Sequence, residues 1–305
     1  MEGLRQSWIY SKNLLLSPYA ALILAALFWA GNFIVGRALQ GDIHPVALNF
    51  WRWVLALLLL LPLTGRGLIQ HRGAVLSHGK LIAALGFTGI AAFHTCVYAA
   101  LAETTAINAL IILSVSPVVI LCISRVVFKE RISRLQAAGV LVSLAGSLIL
   151  ICRGNGAVLV NFEFSRGDLW MGVAVPLWAA YSILLKKRPE DLPPLVLLTS
   201  SVIAGVVLML SPYLFVLFQG QTLSPNPDNI LAILYIAVFA SVLAFFFWNH
   251  GVARIGPVRA GMYIHLMPFF GAFLSVWLLE EGVATYHITG ALFVGTGIYF
   301  TGRKG

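Results

Sequence analysis

The second half of this chain repeats the first at a nearly fixed offset, in a sequence apolar enough to live in lipid. Glu103, Pro117, Glu130, Gly139 and Gly146 align with Arg254, Pro268, Glu281, Gly290 and Gly297, each pair 151 residues apart. Trp29 and Pro45 align with Trp178 and Pro194, each 149 apart. The difference places a two-residue insertion between the second and third segments of the later copy, where the polar run Gln219–Asn229 lies. Loops absorb insertions, so the pattern reads as a duplication of one unit.

With 60% hydrophobic and only 10% charged residues, and a mean hydropathy of +0.92, the chain lies far outside the range of soluble domains. A helix rises about 1.5 Å per residue and the hydrocarbon layer is about 30 Å thick, so each crossing takes about 20 apolar residues. Ten stretches qualify: 18–39, 45–64, 80–101, 105–128, 133–152, 168–187, 194–218, 229–251, 257–279 and 283–302. The expectation is an all-α membrane protein in which a tail over 1–17 precedes a first five-helix repeat over 18–152. An external linker over 153–167 then leads to a second, inverted five-helix repeat over 168–302. Residues 1–17 lack the apolar core and cleavage site of a signal peptide, so the first crossing serves as an uncleaved signal.

Charge sets the orientation. With a cytoplasmic N-terminus, 16 of the 20 basic residues fall in the tails and even-numbered loops, against Arg37, Arg153 and Arg166 on the other side and Arg52 inside the second stretch. Both termini are therefore expected in the cytoplasm. Five crossings per copy is an odd number, which inverts one copy relative to the other. Lys129-Glu-Arg-Ile-Ser-Arg134 accordingly becomes Glu280-Glu-Gly-Val-Ala-Thr285, losing its basic residues where the loop changes side. The net charge of +9 is explained by this topology, and no nucleic-acid partner is expected. Cys96, Cys122 and Cys152 show no disulfide or metal-ligand spacing, so no metal or other cofactor is expected.

Several local patterns lie in a specific order: Phe28-Trp-Ala-Gly-Asn32, His44-Pro-Val-Ala-Leu-Asn-Phe-Trp-Arg-Trp-Val54, and Pro117 followed by Phe128-Lys-Glu-Arg-Ile132. Pro268, Leu279-Glu-Glu281 and Gly290 through Gly297 repeat the theme. Over residues 18–302 the chain thereby resembles the drug/metabolite transporter superfamily, EamA family. The paired tryptophans and aromatic interior are similar to its YddG-type exporters of aromatic amino acids. The resemblance implies ten helices in inverted repeats, location in a bacterial inner membrane and export of small metabolites; since the duplication supplies both halves in one chain, the protein is expected to act as a monomer.

Inverted-repeat transporters bind solute near the midplane between halves, so depth is the first filter. Trp29 lies 11 residues into the first stretch and Trp178 about 10 into the sixth, both near mid-depth. An indole there must satisfy its N–H within the protein, either packed between helices or against a solute. One turn on, Asn32 and Tyr181 occupy matching positions, as do Tyr98 and Asn249, with His94 a turn from Tyr98. Whether these polar groups meet a solute or bond a neighbouring helix is open. His265, whose repeat partner is Ser114, reads as a pore-lining group, a proton carrier or a bonded core residue. Phe246 joins the candidate binding set as a stacking surface, and Pro117 and Pro268 are candidate gates because a missing N–H permits a bend. Asn49 and Arg52 sit one turn apart in the second stretch. Arg52 could attract a carboxylate, snorkel or cap carbonyls, and the resemblance, which places an arginine here across varied substrates, implies a structural role.

All eleven acids lie in tails, loops or helix ends. The resemblance makes a buried glutamate in the first helix the mark of small multidrug exporters, and Trp29 and Asn32 stand in that region here. A single deep arginine is also few for a sugar-phosphate exchanger. An exporter of amino acids, aromatic or neutral, fits best, working by alternating access. The alternatives are an exporter of another metabolite or nucleoside-like solute, or a membrane receptor or structural protein. An enzyme is not expected, since His44, His71, His78 and His287 lie in separate loops or ends.

Overall fold

The computed structural model describes residues 17–39, 41–129, 131–220, 226–278 and 283–302. The tail through residue 16, the repeat pair Glu130 and Glu281, Glu280, and 221–225 of the polar loop lie outside the described residues. Among the described residues there are helices and turns and no strand, so backbone hydrogen bonding is mainly local to each segment, as a lipid environment demands.

Eight helices among the described residues are long and apolar enough to cross a membrane: α1 Pro18–Ala38, α2 Pro45–Gln70, α3 Gly79–Glu103, α4 Ala106–Val127, α5 Arg134–Ile151, α6 Arg166–Lys187, α7 Pro194–Phe218 and α8 Pro227–Ile255. The ninth apolar stretch is α9, built from Pro257–Gly261, a 3-10 turn Met262–His265 and Leu266–Leu278. The tenth is α10, Thr285–Gly302. Two helices outrun their apolar stretches. α2 continues from residue 64 to Gln70, and α8 spans Pro227–Ile255 where 229–251 was expected. In α2 the Thr64 hydroxyl back-bonds to the Leu60 carbonyl at 2.8 Å and reaches Thr199 Oγ1 at 3.1 Å, and the backbone ladder runs on to His71 N–H on Gly67 O. Gly65 and Gly67 follow Thr64 without ending the helix, which thus outlasts the hydrophobicity.

Helix starts are marked by residues that satisfy free N–H groups. His44 Nδ1 accepts from Val46 N–H ahead of Pro45, and Ser133 and Gln136 form a reciprocal capping box on α5. At α6 the Asp168 carboxylate accepts from Ser165 N–H at 2.7 Å and from the Thr104 hydroxyl at 2.7 Å. That second bond ties the start of the second copy to the α3–α4 connection of the first.

The helices pack in pairs that exchange when the copies are exchanged. α1 packs on α8 as α6 packs on α3, while α2 and α7 lie against the middle of α8 and α3 respectively. α5 crosses α10 through glycines. A Cβ on Gly139 would meet Gly297 O at 2.7 Å and one on Gly146 would meet Gly290 O at 2.8 Å. Since Gly139 and Gly290 are repeat partners, as are Gly146 and Gly297, the contact is reciprocal. Small residues allow this backbone approach, which carries helix association where lipid supplies no hydrophobic drive.

Local irregularities repeat as well. α3 carries a π-helical stretch at Gly86–Ala92 and α8 one at Ile236–Leu243, while the first maps by the 151-residue offset onto 237–243. α4 is interrupted between Leu113 and Ser116, and the 3-10 turn of α9 ends at His265, the repeat partner of Ser114. The candidate gates Pro117 and Pro268 each follow one of these interruptions by a few residues.

Gly297→Ala places a Cβ 2.5 Å from Gly139 O, whereas a Cβ on Gly295 meets nothing within 4 Å. Thermal unfolding in detergent is expected to show Gly297→Ala destabilised by about 1–3 kcal/mol and Gly295→Ala changed by less than about 0.5 kcal/mol.

Candidate functional site

Trp29 and Trp178, one from each copy, meet edge to face with ring centres 5.0 Å apart and planes at 89°. Trp248 of α8 closes a triangle, 5.3 Å from Trp29 and 5.1 Å from Trp178. Phe245, one turn before Trp248, touches both indoles, and Phe93 of α3 lies 4.8 Å from Trp178. Phe246, a stacking candidate from its sequence position, packs against Phe247 at 5.8 Å, on the flank of the core. The face of α8 that meets the indoles carries Phe245, Trp248 and Asn249, at helical spacings of three and four.

The π-helical stretches make carbonyls available to side chains. In a regular helix each interior carbonyl is taken by the N–H four residues on, and a π turn disturbs that ladder. In α8, Ala240 O accepts from the Trp29 indole at 3.0 Å and from an Arg52 guanidinium nitrogen at 3.3 Å. In α3, Ile90 O and Ala91 O accept from Asn49 Nδ2 at 3.1 and 3.0 Å, and Gly89 O lies 3.1 Å from His94 Nδ1. A carbonyl only accepts, so His94 carries its hydrogen on Nδ1 and presents a lone pair at Nε2.

Two tyrosine–asparagine bonds flank the indoles. Tyr98 donates to Asn32 Oδ1 at 2.8 Å, and Tyr181 donates to Asn249 Oδ1 at 2.8 Å. These are one contact of the duplicated unit with its partners swapped, tyrosine on α3 and asparagine on α1 in the first copy, and the reverse on α8 and α6 in the second. Arg52 joins only the first. Its guanidinium donates to the Tyr98 hydroxyl at 2.7 Å and to Ser241 Oγ at 2.8 Å.

A small cavity opens at this centre, lined by Trp29, Asn32, Phe93, His94 and Trp178 together with Leu113, Ile264 and Met267 from the interruptions of α4 and α9. The space open to the centre of a water molecule is about 20 Å³, room for about one water. Of the residues singled out from sequence, Trp29, Asn32, His94 and Trp178 line the cavity, and Tyr98 and Tyr181 stand behind them. Asn249 is reached only through Tyr181. His265 lies off the cavity wall, its Nδ1 2.8 Å from Ser143 Oγ and its Nε2 2.8 Å from Ser114 O, which joins α9 to α5 and to the break in α4. Among the described residues no three His, Cys, Asp or Glu side chains converge as a metal site would require.

Tyr98→Phe removes a hydroxyl that serves both a buried guanidinium and an amide, whereas Tyr181→Phe removes a single neutral bond. Melting in detergent is expected to show a loss of about 2–4 kcal/mol for Tyr98→Phe and about 1 kcal/mol for Tyr181→Phe.

The chain matches known transporters along nearly its whole length. Residues 16–152 and 165–303 each match the EamA-like transporter family, the two matches falling on the two copies. A relative from Archaeoglobus fulgidus, named an uncharacterized transporter, is 29% identical over 293 residues, covering 93% of this chain and 96% of its own. The uncharacterized transporter YyaM of Bacillus subtilis is 25% identical over 288 residues, covering 93% of this chain and 92% of its own. A probable amino-acid metabolite efflux pump of Salmonella typhimurium is 27% identical over 183 residues, 57% of this chain and 59% of its own. A solved crystal structure superposes with a TM-score of 0.70 at 18% identity, covering 94% of this chain and 97% of that one, a likeness of fold. The chain belongs to the EamA-like transporter family and is a multi-pass membrane protein built from two copies of that family's unit.

Proposed function

We propose that this transporter exports amino acids, aromatic or neutral, across a bacterial inner membrane, through a midplane site that opens alternately to either side. The observation that carries this reading is the small cavity lined by the repeat-related indoles Trp29 and Trp178 and by Asn32 and His94. An apolar cage with few polar groups suits a solute with a flat or branched body and a polar end. The lone pair at His94 Nε2 suits an ammonium or hydroxyl donor, and the indole faces suit an ammonium or an aromatic ring. That the Salmonella typhimurium relative is named a probable amino-acid metabolite efflux pump supports the same solute class.

Ten crossings in two inverted sets of five, with both termini cytoplasmic, complete the reading. The reciprocal α5–α10 crossing, the exchanged tyrosine–asparagine bonds and the matched π stretches all support a two-fold relation between copies. Pro117 and Pro268 act as hinges beside the cavity, because Leu113 on one side and Ile264 and Met267 on the other bring the interrupted helices to its wall. With both halves in one chain, a monomer suffices. Opening is required for transport, since the space present holds no amino acid.

Two measurements test this. In proteoliposomes of the purified protein, labelled tryptophan or phenylalanine is expected to exchange saturably, and Trp178→Phe to lower that flux by about 10-fold or more, as loss of a key contact would. Unaltered flux in the variant removes Trp178 from the path, and no exchange of any amino acid removes the solute class. For topology, single cysteines at exposed Ser77 and Asn155 are expected to react with a membrane-impermeant thiol reagent from the cytoplasmic and external sides respectively. Labelling of both from one side would overturn the inverted arrangement.

A further inference from the structure

Arg52 is wholly buried, yet its partners are all neutral: Tyr98, Ser241, the Ala240 carbonyl, and the ring faces of Trp53 at 5.1 Å and Tyr98 at 5.7 Å. Among the described residues the one buried carboxylate is Asp168, held at the start of α6 by Thr104, Asn108 and Ser165. A charge buried without a counter-charge is costly, and intramembrane charges persist mainly where function uses them.

The duplication supplies an internal control. By the 149-residue offset that pairs Trp29 with Trp178, Arg52 aligns with Ser201, whose hydroxyl turns back to Leu197 O in its own helix at 2.9 Å. The second copy nonetheless forms its tyrosine–asparagine bond at the same 2.8 Å. The fold of the unit therefore makes this contact without an arginine, and the charge in the first copy serves something other than the contact.

The chemistry of the chain gives its direction. A guanidinium only donates, so the Tyr98 oxygen receives from Arg52 and its proton goes to Asn32 Oδ1. That fixes the Asn32 amide with its carbonyl toward Tyr98 and leaves Nδ2, which has no partner among the described residues, as the group to face the cavity that Asn32 lines. The cavity is thus offered N–H donors polarised by a positive charge two bonds behind, in a surround where little screens it.

We infer that the site selects its solute by a carboxylate. Asn32 Nδ2 donates to the carboxylate, Arg52 supplies the counter-charge through Tyr98, and the apolar body lies against the Trp29 and Trp178 indoles. The transported class is then amino acids and related carboxylic acids with flat or branched bodies, and the corresponding amines are excluded. Arg52 is a positioning residue here, since it acts through Tyr98. The inference rests on the cavity being the transport site.

Binding of L-phenylalanine, 3-phenylpropionate and phenethylamine to the purified protein, read by its tryptophan fluorescence, separates the two readings. Both carboxylates are expected to bind at least about 10-fold more tightly than the amine, as a charge-assisted hydrogen bond allows. In Arg52→Gln that ratio is expected to fall to within about 3-fold, a change in selectivity that a purely structural residue would not produce. If Arg52→Gln does not fold, Asn32→Asp carries the test, because a carboxylate at that position should reverse the preference toward phenethylamine. Equal binding of amine and acids by the natural protein, or an unchanged ratio in the variants, overturns the carboxylate inference alone. Absence of any response to all three compounds overturns the transport-site reading and this inference with it.

Discussion

Hydrocarbon offers no water to a carbonyl, and that constraint organises the interior of this protein. Where α3 and α8 widen into π turns, the disturbed ladder makes acceptors available to side chains at the centre of the molecule. Trp29, Arg52 and Asn49 all bond to carbonyls of these two stretches. The indole and the guanidinium are thereby fixed in direction before any solute arrives, and the cavity between them inherits that order.

Duplication gives the fold an economy that extends to its irregularities. The π turns, the helix breaks beside Pro117 and Pro268 and the tyrosine–asparagine bonds all occur twice, and the glycine crossing of α5 with α10 maps onto itself. Against so regular a background, departures are conspicuous. Arg52 faces Ser201 across the alignment, and Trp248 of α8 has its counterpart in Val97 of α3, which lines the cavity without an indole. The centre is symmetric in framework and asymmetric in chemistry.

Much of this was legible in the residues. Apolar runs of helical length, the offset between copies and the mid-depth tryptophans led to the helices and to the pair Trp29 and Trp178, because burial and rise per residue are readable from spacing alone. Other features were not. No residue type marks a π turn, so the carbonyls that Trp29 and Arg52 use could not be foreseen. Depth said that Arg52 was inside, but the reach of an arginine spans the gap between helices, and rise along one helix does not say which neighbour it meets. Phe246 lies on the flank of the core while Phe245 and Trp248 touch the indoles, a difference set by which face of α8 turns inward. His265 showed its depth in the sequence, while its two bonds depend on how α4, α5 and α9 approach one another.

The bond from His265 to Ser114 joins a position of the unit to its own copy, 151 residues away. Two identical side chains meeting there could each give or receive the hydrogen, so the sense of the bond would not be set by the residues. Here it is set, because an imidazole stands on one side only and a carbonyl, which can only accept, faces it on the other. A chain that carries both copies can place the imidazole in one copy alone, whereas two identical subunits would present it twice. Fusion therefore lets the meeting point of the halves become a polarised joint, with a giving side and a receiving side encoded in one polypeptide.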